Sequence, residues 1–306
     1  MSKGTKSTLS KKRSNKRMKR ISFIVCFVAA LFWILPIVYM FGTSLKSMEE
    51  IIMNPSRLWP TSEGFTFDNY KGFILDITNT TEGNQTLAEA LLNSIIVSLS
   101  VVVLTILVDC LAAYAFAFLN FRSRTALYAF IIFSMTIPGI IGTTTKFSMY
   151  ASMGNSLDLM SSKVFNLSWL IFPSICGVYN LYLMKNFFDS VPKDIVESAR
   201  SDGAGDLRIF WSIILPLAKS TMLLIGLFAF TGSWNDLFWS NLIVGGKEGM
   251  KTVTVMLQYY TGSGVSDRMK GVAMAASLIS LIPILIVFVF TQNRMIEGMA
   301  TTGVKR

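Results

Sequence analysis

Long apolar runs with almost no charged residues recur along this chain, and they constrain its fold more than any other feature. A run of about 20 apolar residues can cross roughly 30 Å of hydrocarbon as a helix. We identify six such runs, of which the second and the fifth are long enough to require a tilt. They are Ile21–Leu45, Leu91–Leu119, Leu127–Tyr150, Val164–Phe187, Pro216–Val244 and Val272–Thr291.

The backbone of these runs must satisfy its own hydrogen bonds, because each unpaired amide in hydrocarbon costs several kcal/mol. Only helices and closed barrels do so, and the alternating pattern of a barrel strand is absent. The overall composition, 52% hydrophobic and 15% charged, fits a bilayer better than water. The sequence therefore predicts an all-α polytopic membrane protein with six transmembrane helices.

Basic residues before the first run predict the orientation, because lysine and arginine are enriched on the cytoplasmic side. The leader holds nine of them and no acid, so the N-terminus is expected inside, and six crossings return the C-terminus inside. The nine are Lys3, Lys6, Lys11, Lys12, Arg13, Lys16, Arg17, Lys19 and Arg20. Acids are instead concentrated in the segment 46–90, which we place outside.

Several function classes are disfavoured by what the sequence lacks. The net charge of +10 is read as a topology and anionic-lipid signal rather than a nucleic-acid footprint. The chain has no histidine, and Cys26, Cys110 and Cys176 have no paired spacing. We expect no metal, no cofactor and no catalytic residues. A phosphate-binding Gly-x-x-x-x-Gly-Lys-Ser/Thr motif is also missing, so another chain must handle any ATP.

The segment between the fourth and fifth runs carries the most specific pattern. Ile195, Val196 and Ala199 share one face of a short helix, Gly203 can end that helix in a left-handed conformation, and Asp206 can cap a second one. On periodicity alone, this helix–glycine–helix pattern fits a lipid-anchored hairpin as well as a docking element for a partner protein.

Residues Glu197–Ala204, followed by Ile213-Ile-Leu-Pro216, resemble the EAA loop of binding-protein-dependent ABC importer permeases. Ser233-Trp-Asn-Asp236 is similar to an element of the carbohydrate-uptake branch, and the chain most resembles that branch's MalG-like members. Asn93-Ser94 and the segment from Ala275 to the end also fit. The resemblance covers most of the chain from Ile21 onward and implies the ABC type I importer permease (MetI-like) fold.

The resemblance implies an organisation and a set of partners. The expected parts are a basic cytoplasmic leader (1–20), a first transmembrane helix (21–45), an extracytoplasmic loop (46–90), a permease core (91–291) containing a cytoplasmic coupling loop (188–215), and a cytoplasmic tail (292–306). We call residues 188–215 the EAA-like loop. The partners would be a second homologous permease, two cytoplasmic ABC ATPases and an extracytoplasmic solute-binding protein, in a bacterial cell membrane. The solute would be a carbohydrate.

The same resemblance assigns roles to residues of the EAA-like loop and its end. Contact with the ATPases is expected from Glu197, Ala199, Asp202, Gly203, Ala204, Leu215 and Pro216. The external segment Gly245–Lys270 is expected to face the binding protein. Two departures from the family pattern are Ser198, where alanine is usual, and the stretch 143–147 after Pro138, which lacks a second proline.

Polar residues within the runs are candidates for the solute pathway or its gate. They are Asp109, Tyr179, Asn180, Trp234, Asn235 and Asp236. An ionisable residue inside a membrane is a functional candidate by default. The alternatives are that Asp109 serves packing and pairs with Arg122 or Arg124, and that Trp234 is an interfacial anchor.

Two other transporter functions remain as alternatives. An ion-coupled secondary transporter would predict repeated halves or broken helices around a midplane site, and the sequence gives no sign of either. An ABC importer permease for a solute other than a sugar would share the EAA-like loop. A membrane enzyme would need clustered nucleophiles, bases or metal ligands, which are lacking here.

Overall fold

The computed structural model describes residues 4–75, 85–261 and 269–302. The first three residues of the leader, residues 76–84, part of the segment Gly245–Lys270 and the last four residues lie outside this range. The described residues are mostly helical and contain no strand, apart from an isolated bridge between Lys46 and Phe65. The predicted all-α fold is confirmed.

Fifteen α-helices are found in the described residues. They are α1 (Gly4–Ser44), α2 (Met48–Met53), α3 (Asp68–Leu75), α4 (Leu87–Phe118), α5 (Arg124–Ser134), α6 (Thr143–Ser156), α7 (Lys163–Ile171), α8 (Val178–Asp189), α9 (Lys193–Ser201), α10 (Asp206–Ile209), α11 (Leu215–Leu217), α12 (Lys219–Trp234), α13 (Phe238–Val244), α14 (Val253–Thr261) and α15 (Lys270–Thr302). Short 3₁₀ turns follow α7 and precede α6, and a π-helix, Phe210–Ile214, joins α10 to α11.

Three helices are long and apolar enough to cross a membrane alone: Met18–Ser44 within α1, the whole of α4, and Lys270–Gln292 within α15. Three pairs of shorter helical segments meet the same criterion only together, and they bend by 93°, 49° and 80° at their breaks. Counting each pair as one crossing gives up to six, the number predicted from the sequence.

The third, fourth and fifth predicted runs are therefore not single helices. Proline accounts for much of this, because it lacks an amide hydrogen and disfavours the helical conformation of the residue before it. Pro138 is the last residue of the first break, Pro173 lies just before the second, and Pro216 lies just before the third, at Ala218. The structure thus contains broken helices, although none was expected from the sequence. Their expected absence can no longer be used as an argument against a secondary transporter.

Helix α4 begins at Leu87, four residues before the predicted start of its run. A capping box fixes this start: the Glu89 amide donates to Thr86 Oγ1 at 3.3 Å, and the Thr86 amide donates to Glu89 Oε2 at 3.1 Å. The reciprocal bonds satisfy two amides that a helix N-terminus otherwise leaves free.

The chain divides into two compact units. The first comprises Met1–Phe73 and Tyr260–Ile279, and the second comprises Ile74–Tyr259 and Ser280–Arg306. In the first unit, the Lys46 ammonium is buried and donates to the backbone oxygens of Asn54 and Arg57. Burial lowers the pKa of Lys46 from its ordinary value.

Polar side chains at the N-terminal end of α4 hold the segment that precedes α14. Asn93 Nδ2 donates to the backbone oxygens of Gly249 and Lys251, both at 3.1 Å, and the Val253 amide donates to Ser94 Oγ at 2.8 Å. Asn93 and Ser94 are buried. These bonds explain physically why an Asn-Ser pair opens this span.

Among the described residues, α4 contributes to two apolar clusters of the second unit. One cluster joins the C-terminal half of α4 to α8, to the EAA-like loop and to Ile225 of α12. The other joins Val97 and Val101 of α4 to α6, α7 and α13. Helix α4 is therefore the element that the two clusters share.

Gly226 allows α12 to approach α4 closely. A β-carbon at this position would lie 3.3 Å from Ile106 Cδ1 and 3.6 Å from Val102 Cγ1. Small residues at such contacts let membrane helices pack through van der Waals interactions.

We predict that Gly226→Leu destabilises the protein by about 1–3 kcal/mol, because the longer side chain overpacks the interface between α4 and α12. The matched variant is Gly232→Leu in the same helix, where nothing lies within 4 Å of the added β-carbon. Thermal unfolding of the purified complex in detergent measures the effect. A lower melting temperature for the Gly232 variant than for the Gly226 variant would contradict this packing.

Candidate functional site

The EAA-like loop forms two helical segments joined by a tight turn at Gly203. Gly203 has φ of 81°, in the left-handed region that favours glycine. The Ala204 amide donates to the Ala199 oxygen at 2.9 Å, and the Gly203 amide donates to the Arg200 oxygen at 3.0 Å. This is the hydrogen-bond pattern of a Schellman motif, and the predicted left-handed stop at Gly203 is confirmed.

Asp206 does not cap the second helix, although the sequence predicted that it would. Gly205 occupies the N-cap position of α10, and Asp206 is the first residue inside the helix. Its Oδ1 accepts hydrogen bonds from Arg200 Nη2 at 2.8 Å and from Tyr114 Oη at 3.2 Å. Arg200 and Tyr114 thus share one carboxylate, so the two halves of the EAA-like loop are linked to each other and to α4.

Apolar side chains attach the EAA-like loop to the spanning helices. Val196 of α9, together with Ile209 and Phe210, is at most 2% exposed. These side chains belong to the cluster that contains Phe118 of α4 and Phe188 of α8. Since protein interiors are close-packed, a force applied to α9 is transmitted to the ends of α4 and α8.

The residues assigned to ATPase contact lie in two environments. Glu197, Asp202, Gly203 and Pro216 are exposed, whereas Ala199, Ala204 and Leu215 are half-buried against the apolar cluster. The EAA-like loop also exposes apolar surface: Leu207 is 71% exposed, Trp211 52% and Ile195 39%. The exposed set forms a surface that has no partner within the described chain.

A second feature is a cavity of about 350 Å³ between α4, α6, α8, α12 and α13, which we call the polar cavity. Two of the predicted pathway residues, Asn180 and Asp236, line it. The polar residues Lys146, Ser174 and Ser233 line it as well, and its apolar walls include Phe228 and Trp239.

Asp236 is held in place by the start of α13. Its Oδ1 accepts from the Trp239 amide at 3.2 Å, and its Oδ2 accepts from the Ser240 amide at 3.2 Å and from Ser240 Oγ at 3.1 Å. This carboxylate compensates the positive end of a short helix, as a capping acid does.

The other predicted pathway residues are not part of the polar cavity's lining. Trp234 is buried, and its Nε1 donates to the Ser280 oxygen at 3.2 Å, so it makes a packing contact. Asn235 is exposed at the C-terminal end of α12. Tyr179 is 50% exposed and packs against Phe228, a cavity residue, with ring centroids 6.2 Å apart.

Asp109 is buried in α4 and does not pair with either arginine considered for it. Its Oδ2 has no hydrogen-bond partner in the described part of the chain. Arg124 instead donates to the Leu119 oxygen at 3.3 Å, and no ion pair involves Arg122 among these residues. The suggested pairing is not found.

Three residues that shape these sites were missed at the sequence level. Arg200 and Tyr114 hold the EAA-like loop, and Lys146 lines the polar cavity. Only Lys146 could have been noticed in the sequence, because it lies in the stretch 143–147 that departs from the family pattern. The pairing of Tyr114 with Asp206 spans 92 positions and leaves no local pattern.

Comparison with known proteins agrees with the arrangement of EAA-like loop and spans. The family model for the binding-protein-dependent transport system inner membrane component matches residues 110–298. This match includes the EAA-like loop and all the polar-cavity residues except Val101.

Two curated relatives extend the similarity over more of the chain. The maltodextrin transport system permease protein MalD of Streptococcus pneumoniae is 34% identical over 248 residues, which are 80% of this chain and 82% of the relative. The diacetylchitobiose uptake system permease protein NgcG of Streptomyces coelicolor is 27% identical over 293 residues, 96% of this chain and 91% of the relative.

A solved structure shares the fold. It is a chain of a bacterial ABC transporter involved in the import of the acidic polysaccharide alginate, with a TM-score of 0.73 and 24% sequence identity, and the match covers 92% of this chain and 97% of that chain. The family model matches more than half of the chain, and the MalD relative exceeds 30% identity over most of it. The chain therefore belongs to the family of binding-protein-dependent transport system inner membrane components, the permease subunits of ABC importers.

Proposed function

We propose that this chain forms half of the transmembrane pathway for a sugar or small oligosaccharide. The complex would also contain a second, homologous permease, two cytoplasmic ATPases and an extracytoplasmic binding protein. The observation that carries the proposal is that the same helices pack against the EAA-like loop and line the polar cavity. A movement of this loop therefore has a direct mechanical route to the pathway.

Helix α8 illustrates this route. Leu181 and Met184 belong to the apolar cluster of the EAA-like loop, whereas Asn180, one residue earlier, lines the polar cavity. Helix α12 is similar, since Ile225 lies in the cluster and Ser233 lines the cavity. Closure of ATP-bound ATPases on the EAA-like loop would tilt both helices together and switch the pathway between inward-open and outward-open states.

ATP hydrolysis is assigned to the partner subunits, because the sequence has no phosphate-binding loop. In this arrangement the EAA-like loop and both termini are cytoplasmic, in the cell membrane of a bacterium. The basic leader supports this orientation. The segment Gly245–Lys270, which contains α14, would then face the binding protein.

A docking surface explains the exposed apolar side chains of the EAA-like loop better than an interfacial anchor does. Leu207 and Trp211 are exposed, and the same loop exposes the carboxylate of Glu197, whereas the polar face of a lipid-anchored helix is typically rich in lysine and arginine. Glu197 can accept a charge-assisted hydrogen bond from an arginine of an ATPase.

The carbohydrate class rests on the relatives and on the chemistry of the cavity. The names of two relatives refer to maltodextrin and diacetylchitobiose. The polar cavity offers an amide, two hydroxyls and an indole, groups that suit sugar hydroxyls and ring faces. ATP-dependent uptake of saccharides by proteoliposomes containing the whole complex and its binding protein tests this function. Uptake of another solute class, with no saccharide transported, would contradict it.

We predict that Gly203→Val uncouples the ATPases from uptake. A β-branched side chain is penalised at positive φ by about 1–2 kcal/mol, and the altered turn would mis-aim α9. The matched control is Gly203→Asn, because asparagine tolerates the left-handed conformation. A β-carbon at this position meets nothing within 4 Å, so a difference between the two variants reports on the backbone rather than on a clash.

The measurement is ATPase co-purification together with uptake in proteoliposomes. We expect the valine variant to insert normally and to lose most of its uptake, while the asparagine variant keeps it. Full uptake by the valine variant in a fully assembled complex would contradict the proposal that the EAA-like loop couples the ATPases to transport.

We predict that Glu197→Lys weakens ATPase attachment, because it places a cation where an arginine of the partner is expected. The control is Glu248→Lys, the same charge reversal at an exposed residue after α13. The readout is the amount of ATPase retained on the affinity-purified permease as ionic strength rises. Equal retention by the two variants would argue against a charged contact at Glu197.

We further predict that transport requires two different permeases. Reconstitution with and without the second permease measures this, and subunit stoichiometry can be read by native mass spectrometry. A transport-competent complex with two copies of this chain and no other permease would contradict the heterodimer.

A further inference from the structure

Lys146 places a cation in the polar cavity without an anionic partner. No described carboxylate lies within ion-pair distance of its ammonium. Among the described residues, the ammonium lies over the ring of Trp239, whose centroid is 5.6 Å from Nζ. Such a contact orients an ammonium but leaves its charge and its hydrogen-bond donors available.

Asp236, the other charged residue that lines the cavity, lies beyond ion-pair distance of Lys146. Both oxygens of Asp236 are engaged by the backbone and side chain at the start of α13. Ser174 Oγ also donates inside the chain, to the Leu170 oxygen at 3.0 Å. The side-chain amide of Asn180, by contrast, makes no hydrogen bond with the described residues. The polar cavity is therefore lined by one ammonium and one side-chain amide whose hydrogen-bonding groups are available to a ligand.

The surroundings of Lys146 also argue against a purely structural purpose. Lys146 is the fourth residue of α6, which directly continues the 3₁₀ turn Gly139–Gly142, and it is half-buried without an ion-pair partner among the described residues. An unpaired charge in a half-buried site is also costly. A half-buried charge that the described residues do not compensate is typical of a functional site.

We propose that Lys146 recognises an anionic group, a carboxylate or a sulfate, on the transported saccharide, and that Asn180 bonds a neighbouring hydroxyl. This inference rests on the proposed function and narrows its substrate class to acidic saccharides. A charge-assisted hydrogen bond from a lysine is stronger than a neutral one, and a partly desolvated cavity strengthens it further.

The test uses the intact complex with its binding protein in proteoliposomes, supplied with a mixture of partial hydrolysates. Starch and chitin supply neutral oligosaccharides, pectin supplies carboxylated ones, and carrageenan supplies sulfated ones. Mass spectrometry identifies the species that accumulate with ATP. We expect acidic species, and the pectin and carrageenan fractions distinguish carboxylate from sulfate. Accumulation of neutral species alone overturns the inference and leaves the proposed function intact, whereas accumulation of no saccharide contradicts both.

Variants then test the residue itself. Lys146→Gln should lower accumulation of the acidic species by about tenfold or more, and Lys146→Arg should retain it. The glutamine variant removes a half-buried charge that has no ion-pair partner among the described residues, so it is expected to fold. Lys163→Gln is the matched control, since it makes the same charge change at an exposed residue outside the cavity. Unchanged uptake by Lys146→Gln, or an equal loss for neutral and acidic species, overturns the assignment.

Discussion

Packing between the EAA-like loop and the ends of α4 and α8 is the interaction on which the proposed mechanism depends. Val196, Ile209 and Phe210 are buried against aromatic side chains of these helices. Tyr114 of α4 also donates to Asp206, which forms an exposed ion pair with Arg200 within the loop. An exposed ion pair contributes little, so the apolar contact supplies most of the attachment.

One of the three broken spans is interrupted beside the polar cavity. Irregular backbone at membrane depth is tolerated where protein or water surrounds it, because lipid cannot satisfy its hydrogen bonds. Pro173 and Ser174 lie at one break and line the cavity, and Asp236 follows the end of α12. Two of the polar residues that line the cavity, Ser174 and Asp236, therefore lie where helices end.

The sequence was informative where a pattern is local. Run length predicted the number of crossings, and the motif around Gly203 predicted a left-handed turn that φ of 81° confirms. The sequence was uninformative where the determinant is a distant contact. Aspartate is a common helix-capping residue, which is why Asp206 was predicted to cap α10. In the structure, its carboxylate instead accepts hydrogen bonds from Arg200 and Tyr114. Trp234 belonged to a motif assigned to the pathway, yet its indole bonds to the backbone of Ser280. Broken helices were also missed, because hydropathy averages over a bend.

Rigid attachment of the EAA-like loop to α8 is the central claim, and one distance measurement tests it directly. Spin labels at Asn186 of α8 and Ser201 of α9, both exposed, report the distance within this chain in a variant without its native cysteines. A label at Ser201 paired with one on the second permease reports the distance between subunits. We predict that ATP binding leaves the first distance unchanged and shifts the second. A change in the distance between α8 and α9 as large as the change between subunits would contradict the account.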